Sequence, residues 1–279
     1  MKTKLPSLIG VLHLPALAGA PGAGRLHPAE ALRIAGMRAV EEAKALAKAG
    51  FGGLILENFG DAPFYRTSVP PETIASLAVI AAAVRESVSI PLGVNVLRND
   101  AKAALAIAAV TGCDFIRVNV LAGVSATDQG LIEGSAAELL RERDRLGAQI
   151  AIFADARVKH ARSLSSDDLA VEIEDLALRS GADGVIITGK TTGRAVDRET
   201  LDAALLAKRL HRIPIWIGSG ATSENIGELR REGFGVIVGS DLRTSGRAGA
   251  PLDGNRIRKF IFAARTSAKK PKKSPARKK

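Results

Sequence analysis

Along this chain, short runs of β-branched and aliphatic residues alternate with longer, alanine-rich stretches whose apolar positions recur every three to four residues. The first texture predicts strands buried on both faces, the second amphipathic helices. Predicted strands span 7–14, 53–58, 92–97, 114–120, 149–155, 184–188, 213–218 and 235–239. Predicted helices span 28–49, 71–87, 100–111, 135–146, 166–180, 198–210, 223–232 and 253–265. Pro28 and Pro71 suit a first helical turn, where a missing N–H costs nothing. Ser223 reads as an N-cap, with Glu224 at the positive end of the helix dipole. Gly50, Gly112, Gly147, Gly181 and Gly233 each follow a helix, where a left-handed residue ends it cheaply. Eight β–α units of similar size predict one closed (β/α)8 barrel over residues 1–267. An open doubly wound sheet is the alternative, but no Gly-x-Gly-x-x-Gly follows the first strand.

Alternation within strands places the polar residues. Phe115, Arg117 and Asn119 share one face of the fourth strand, and Ile116, Val118 and Val120 share the other. The aliphatic face packs on helices, so Arg117 and Asn119 point into the barrel. A guanidinium there needs a carboxylate partner, and Glu57 and Asp155 are the candidates. His13, Glu57, Asn58, Asn95, Asn119, Asp155 and Thr188 recur at one level, the strand tips, where barrels do their chemistry. The seventh and eighth strands end in Gly218-Ser219-Gly220 and Gly239-Ser240, in the two loops from which barrel phosphate sites are commonly built. Glycine lets backbone amides approach a phosphate, and serine adds a hydroxyl. In the fifth loop, Asp155 is followed by Lys159 and His160, a set able to hold a proton-transfer group. The loops 58–65 and 121–134 are long enough to serve as lids, the second carrying Asp128. No Cys/His cluster has structural zinc spacing. Asp128, Asp155 and Glu57 are the candidate ligands for a divalent cation.

Charge modifies this picture only at the end of the chain. The net charge is +11, and residues 269–279 hold six lysines, one arginine and no acid. Removing those seven charges leaves the remainder at +4. Residues 268–279, with two prolines and no apolar periodicity, are predicted to be a disordered tail that touches anionic surfaces weakly. Specific nucleic-acid binding is not expected, because no aromatic platform for bases accompanies it. Cys113 is the single cysteine and reads as a buried filler. No signal peptide and no apolar run near ~20 residues is visible, so a cytoplasmic protein without a membrane span is expected. A homo-oligomer is the expected assembly.

Seven segments carry a resemblance: Gly10-Val-Leu-His-Leu-Pro15, Glu57-Asn-Phe-Gly-Asp-Ala-Pro-Phe64, Gly93-Val-Asn-Val-Leu-Arg-Asn-Asp100, Phe115-Ile-Arg-Val-Asn119, Thr127-Asp-Gln-Gly130, Ala154-Asp155 with Val158-Lys-His-Ala161, and Gly218-Ser-Gly-Ala-Thr222. In this order they resemble the BtpA/SgcQ family, over residues 8 to 258. The resemblance implies a phosphate-binding type of α/β barrel. It also implies two roles: biogenesis of photosystem I in one branch, and an enzymatic role beside sugar-transport and sugar-metabolism genes in the other. Ala16 and Ala18 stand where the family's first loop is usually richer in proline, and Ala156 where a larger aliphatic residue is common. The residues themselves point first to an enzyme acting on a phosphorylated sugar or nucleoside-like metabolite. Gly218, Ser219, Gly220, Gly239 and Ser240 would hold the phosphate. Asp155 would transfer the proton and Lys159 would stabilise negative charge. Arg117 and Glu57 would orient these groups, and His13, Asn95 and Asn119 would bind hydroxyls. The second reading is a non-catalytic assembly factor for a membrane complex.

Overall fold

The two textures fold as read. Eight parallel strands form a closed barrel: β1 (Leu8–His13), β2 (Gly53–Glu57), β3 (Leu92–Asn95), β4 (Phe115–Val118), β5 (Ala151–Ala156), β6 (Gly184–Ile187), β7 (Ile215–Ile217) and β8 (Gly235–Val238). Each pairs with its neighbour in sequence, and β8 returns to β1. Helices α1 (Pro28–Ala49), α2 (Pro71–Ser87), α3 (Ala101–Thr111), α4 (Ala136–Arg145), α5 (Leu169–Glu174), α6 (Arg198–His211), α7 (Ile226–Arg231) and α8 (Gly254–Thr266) follow the strands in turn. The structure is a computed structural model that describes residues 5–158, 161–166, 168–189 and 195–266. Lys159, His160 and the basic tail lie outside the described residues.

Caps explain most helix boundaries. Pro28 follows an N-cap at His27, and Gly50 ends α1 with φ 107°. Asp100 caps α3 by accepting from Ala103 N at 2.9 Å. Two predicted starts shift. Helix α5 begins at Leu169 because Asp168, not Ser166, accepts from Ala170 N (2.8 Å), and the segment continues as a π turn over Asp175–Arg179. Helix α7 begins at Ile226, so Ser223 is not its cap. Its N–H is held instead by Asp241 across the next loop (3.2 Å).

The core has two layers. Between helices and sheet lies a large aliphatic layer that includes Ile116 and Val118. Inside the barrel, Phe115, Phe153 and Trp216 stack with ring centroids 4.7 and 4.3 Å apart. Room for these rings comes from glycine on neighbouring strands. A Cβ on Gly93 would stand 2.2 Å from the Phe115 ring, and one on Gly235 2.2 Å from Trp216. The Trp216 indole N–H donates to Pro6 O at 2.9 Å, closing the N-terminal end of the barrel. That floor fixes the polar level above it, because Arg117 and Asp155 are the next inward positions after Phe115 and Phe153.

The loop 121–134, read as a connection or lid, contains strands. Val124–Thr127 and Gly130–Glu133 form a hairpin, joined by Ala161–Ser163 from the loop after β5 in a three-stranded antiparallel sheet. Its underside packs Ile132 against Val120 and Val158. Among the described residues, no helix is long and apolar enough to cross a membrane.

Candidate active site

Alternation along β4 and β5 drives Arg117 and Asp155 toward each other inside the barrel. Arg117 meets both predicted carboxylates. Its Nε and Nη2 donate to the two oxygens of Asp155, each at 2.9 Å, and its Nη1 donates to Glu57 Oε1 at 3.1 Å. Asn119 Nδ2 donates to Asp155 Oδ2 at 2.8 Å. Burial disfavours the Arg117 cation, but Asp155 and then Glu57 outweigh it and hold its pKa above the ordinary guanidinium value.

A cavity of about 250 Å³ opens above this cluster at the C-terminal ends of the strands. Glu57, Asn95, Arg117, Asn119 and His13 line one part of it, and Gly218, Ser219, Gly220, Gly239 and Ser240 another. Thus the two glycine–serine loops do converge on the space that the polar strand tips face. Ser219 is 5% exposed and its hydroxyl has no hydrogen-bond partner among the described residues. The same holds for both side-chain amide atoms of Asn95, which is 1% exposed, and for Asn119 Oδ1. Buried polar groups are nearly always bonded, so several open ones around one cavity mark a place built for a ligand. His13 packs on Phe59 (centroids 4.6 Å apart) and accepts from Gly249 N through Nδ1 at 3.4 Å.

Other predicted residues stand elsewhere. Asp155 is not on the cavity wall: its side chain is 0% exposed and both oxygens are engaged by Arg117 and Asn119. Asn58 uses its amide to join loops, accepting from Leu97 N (2.7 Å) and donating to Asp61 (3.0 Å) and Leu97 O (3.3 Å). Burial pushes the Asp61 carboxyl above its usual range, against bonds from Leu17 N and Asn58. Thr188 donates to Arg157 O (2.9 Å) and lines a neighbouring cavity. Asp128 is exposed at the hairpin tip. Glu57, Asp155 and Asp128 therefore form no common ligand set, and among the described residues no group of three His, Cys, Asp or Glu side chains is placed to hold a metal ion.

Arg98, to which the sequence reading gave no role, also lines the cavity, as do Phe59 and Phe64 from the loop read as long enough for a lid. Arg98 is 7% exposed. Burial pushes its pKa below the ordinary guanidinium value, and the attraction of Asp155, Asp128 and Glu57 does not fully restore it. Its segment is clamped on both sides. Arg98 N donates to Tyr65 O (3.2 Å), and Asn99 exchanges bonds with Val120 (2.8 and 3.0 Å). Its position one residue beyond the predicted strand gave no face to read.

Comparison with known proteins places this barrel. Solved structures with the same fold include phosphoribosyl anthranilate isomerase from Thermus thermophilus (TM-score 0.53, 14% identity, 81% of this chain and 94% of that one). Another is 3-hexulose-6-phosphate synthase (TM-score 0.53, 15% identity, 92% and 99%). Closer in sequence are the photosystem I biogenesis protein BtpA of Synechocystis (47% identity over 85% of this chain and 82% of that protein) and an uncharacterised protein of Methanocaldococcus jannaschii (44%, 94% and 96%). An uncharacterised mitochondrial protein of Caenorhabditis elegans is 34% identical over 94% of each chain. The BtpA family model matches residues 4–266, and the chain belongs to the BtpA family.

Proposed function

We propose that this protein is an enzyme acting on a small phosphorylated sugar- or nucleoside-like metabolite at the C-terminal rim of its barrel. One observation carries the reading. The buried Ser219 hydroxyl, in one of the two glycine–serine loops and without a hydrogen-bond partner among the described residues, lines a cavity shared with Glu57 and open amide groups. A scaffold gains nothing from such groups, since each costs about 1–3 kcal/mol when left unbonded. Barrel neighbours named for phosphorylated substrates, the isomerase and synthase above, are consistent with phosphate at this end.

In this reading Gly218, Ser219 and Gly220 with Gly239 and Ser240 hold the phosphate. Glu57, on the cavity wall and bonded to Arg117 through one oxygen, is the proton-transfer group. Asp155 takes the positioning role instead, because both its oxygens are occupied. Lys159 and His160, which follow β5 in sequence, would supply charge and a second proton carrier. The cavity is smaller than the ~300–1,000 Å³ usual for drug-sized ligands, which favours a compact metabolite over a dinucleotide.

A thermal-shift screen with inorganic phosphate, sugar phosphates and nucleotides, each with and without magnesium, tests this. A ligand at ~100 times its Kd raises stability by about 2.7 kcal/mol. The shift should vanish in the Ser219→Asp/Ser240→Asp variant. No shift with any compound would remove the phosphate site.

The second reading, assembly of a membrane complex, is favoured by the name of the Synechocystis relative. A relative in a nematode, an animal without photosystems, argues for a broader role. In a complementation test, assembly predicts that deleting residues 269–279 harms function more than Glu57→Gln does.

A further inference from the structure

The cavity has two polar ends on opposite sides of the barrel. In the closed order of eight strands, β3 and β7 are four places apart, so their loops face each other across the mouth. Ser219 follows β7. Asn95 ends β3, and Arg98 follows it. At the β3 end stand the buried Arg98 and the buried Asn95, and among the described residues neither polar atom of the Asn95 amide is bonded. Neither residue belongs to the Arg117–Asp155–Glu57 cluster, whose hydrogen bonds are made among its own members and Asn119.

We infer that Arg98 and Asn95 form a second anion subsite, and that the substrate is a phosphorylated hydroxy acid whose carboxylate lies against β3 while its phosphate lies at β7 and β8. This rests on the phosphate reading above and adds the chemistry of the substrate's other end. Arg98 and Asn95 line the same cavity, and a guanidinium N–H and an amide N–H are together suited to the planar pair of oxygens that a carboxylate supplies. The amide oxygen of Asn95 remains to accept from a hydroxyl next to that carboxylate. A second phosphate would place two more negative charges beside Glu57 and Asp155, whereas a carboxylate places one. The subsite is preorganised, because the flanking Asn99 and Asp100 side chains tie the segment to Val120 and to Val69 N (2.9 Å).

Titration calorimetry with 6-phosphogluconate, glucitol 6-phosphate and inorganic phosphate tests the assignment, since the first two differ only at the carboxylate end. The native protein should bind 6-phosphogluconate about tenfold or more tighter than glucitol 6-phosphate. Arg98→Gln should erase that gap and leave the affinity for inorganic phosphate unchanged. Arg98→Lys, which keeps the charge, should retain part of the gap and guards against a folding defect in the first variant. Equal binding of the two hexose derivatives, or a gap that survives Arg98→Gln, overturns the carboxylate subsite while the phosphate site stands. Tighter binding of a hexitol 1,6-bisphosphate than of 6-phosphogluconate overturns it in favour of a second phosphate. Failure of all four, inorganic phosphate included, removes the phosphate reading and this inference with it.

Discussion

Two buried arginines organise this molecule, and they differ in what surrounds them. Arg243, after β8, is fully buried outside the barrel. Its Nη1 donates to Glu42 Oε1 (3.0 Å) and Ala250 O (2.7 Å), and its Nη2 to Glu42 Oε2 (2.8 Å) and Val11 O (2.9 Å). Arg38 adds a bond to Glu42 and two to the carbonyls of Gly249 and Ala250. This cluster locks the loop that carries Ser240 and Gly249 onto α1 and β1. Arg117 is equally well bonded, but its neighbours Asn95, Asn119 and Ser219 keep open polar atoms. Arg243 also keeps one open atom, its Nε, but it does not line the site cavity, so the contrast is between an ion pair enclosed in packing and one whose open neighbours share a cavity.

Removing each cation is the strongest way to probe that difference. Breaking a buried pair costs about 3–5 kcal/mol. Arg117→Met should fall at the upper end, because two carboxylates, Asp155 and Glu57, lose their shared partner. Arg243→Met should fall at the lower end, because Arg38 still faces Glu42. Denaturant unfolding measures both. A larger loss at Arg243 than at Arg117 would show that the barrel pair is not the more demanding one.

An open polar atom makes the opposite prediction. Among the described residues Asn95 has no partner for either amide atom, so Asn95→Leu removes two unbonded buried groups while keeping the branched skeleton. The variant should be more stable than the native chain by about 1 kcal/mol. It should also lose affinity for any hydroxylated phosphate ligand that the native protein binds. Destabilisation by Asn95→Leu would mean that the amide is already satisfied in the ligand-free protein, and Asn95 would move to the architectural group.

What the sequence made legible follows from which signals are local. Period two along β4 placed Phe115, Arg117 and Asn119 inward, because the pleat leaves a strand residue only two directions. The eight-fold alternation placed Ser219 and Ser240 in adjoining loops. Hydrogen bonds between distant loops have no such signal. Asn58, Asp155 and Thr188 sit at strand tips like the cavity residues, but each is engaged by another segment: Asn58 by Leu97, Asp155 by Arg117 and Asn119, and Thr188 by Arg157. Glu42 looks like one more charged position on a long helix until Arg243, 201 residues later, reaches it. The hairpin at 124–133 escaped because its turn, Asp128-Gln129, lacks the Asn-Gly or Asp-Gly signature.

The end of the barrel opposite the cavity gives the smallest and cleanest test of the contrast. Cys113 follows α3 and is 5% exposed. Burial pushes its thiol up to about 11 from an ordinary 9.0, only partly countered by the Thr111 hydroxyl, 3.2 Å from Sγ. The neutral thiol is therefore the favoured form in the folded protein. Its contribution to stability is complete below the unfolded pKa and is lost as pH rises from about 9 through about 11. A shift of two pH units leaves about a hundredfold less thiolate at neutral pH. Native protein at pH 8 should react with a thiol-specific disulfide reagent far more slowly than protein unfolded in denaturant, and the reaction should follow global unfolding. Rapid reaction of the native thiol would show that this end opens locally, and the closed floor beneath the site would no longer stand as the rigid half of the molecule.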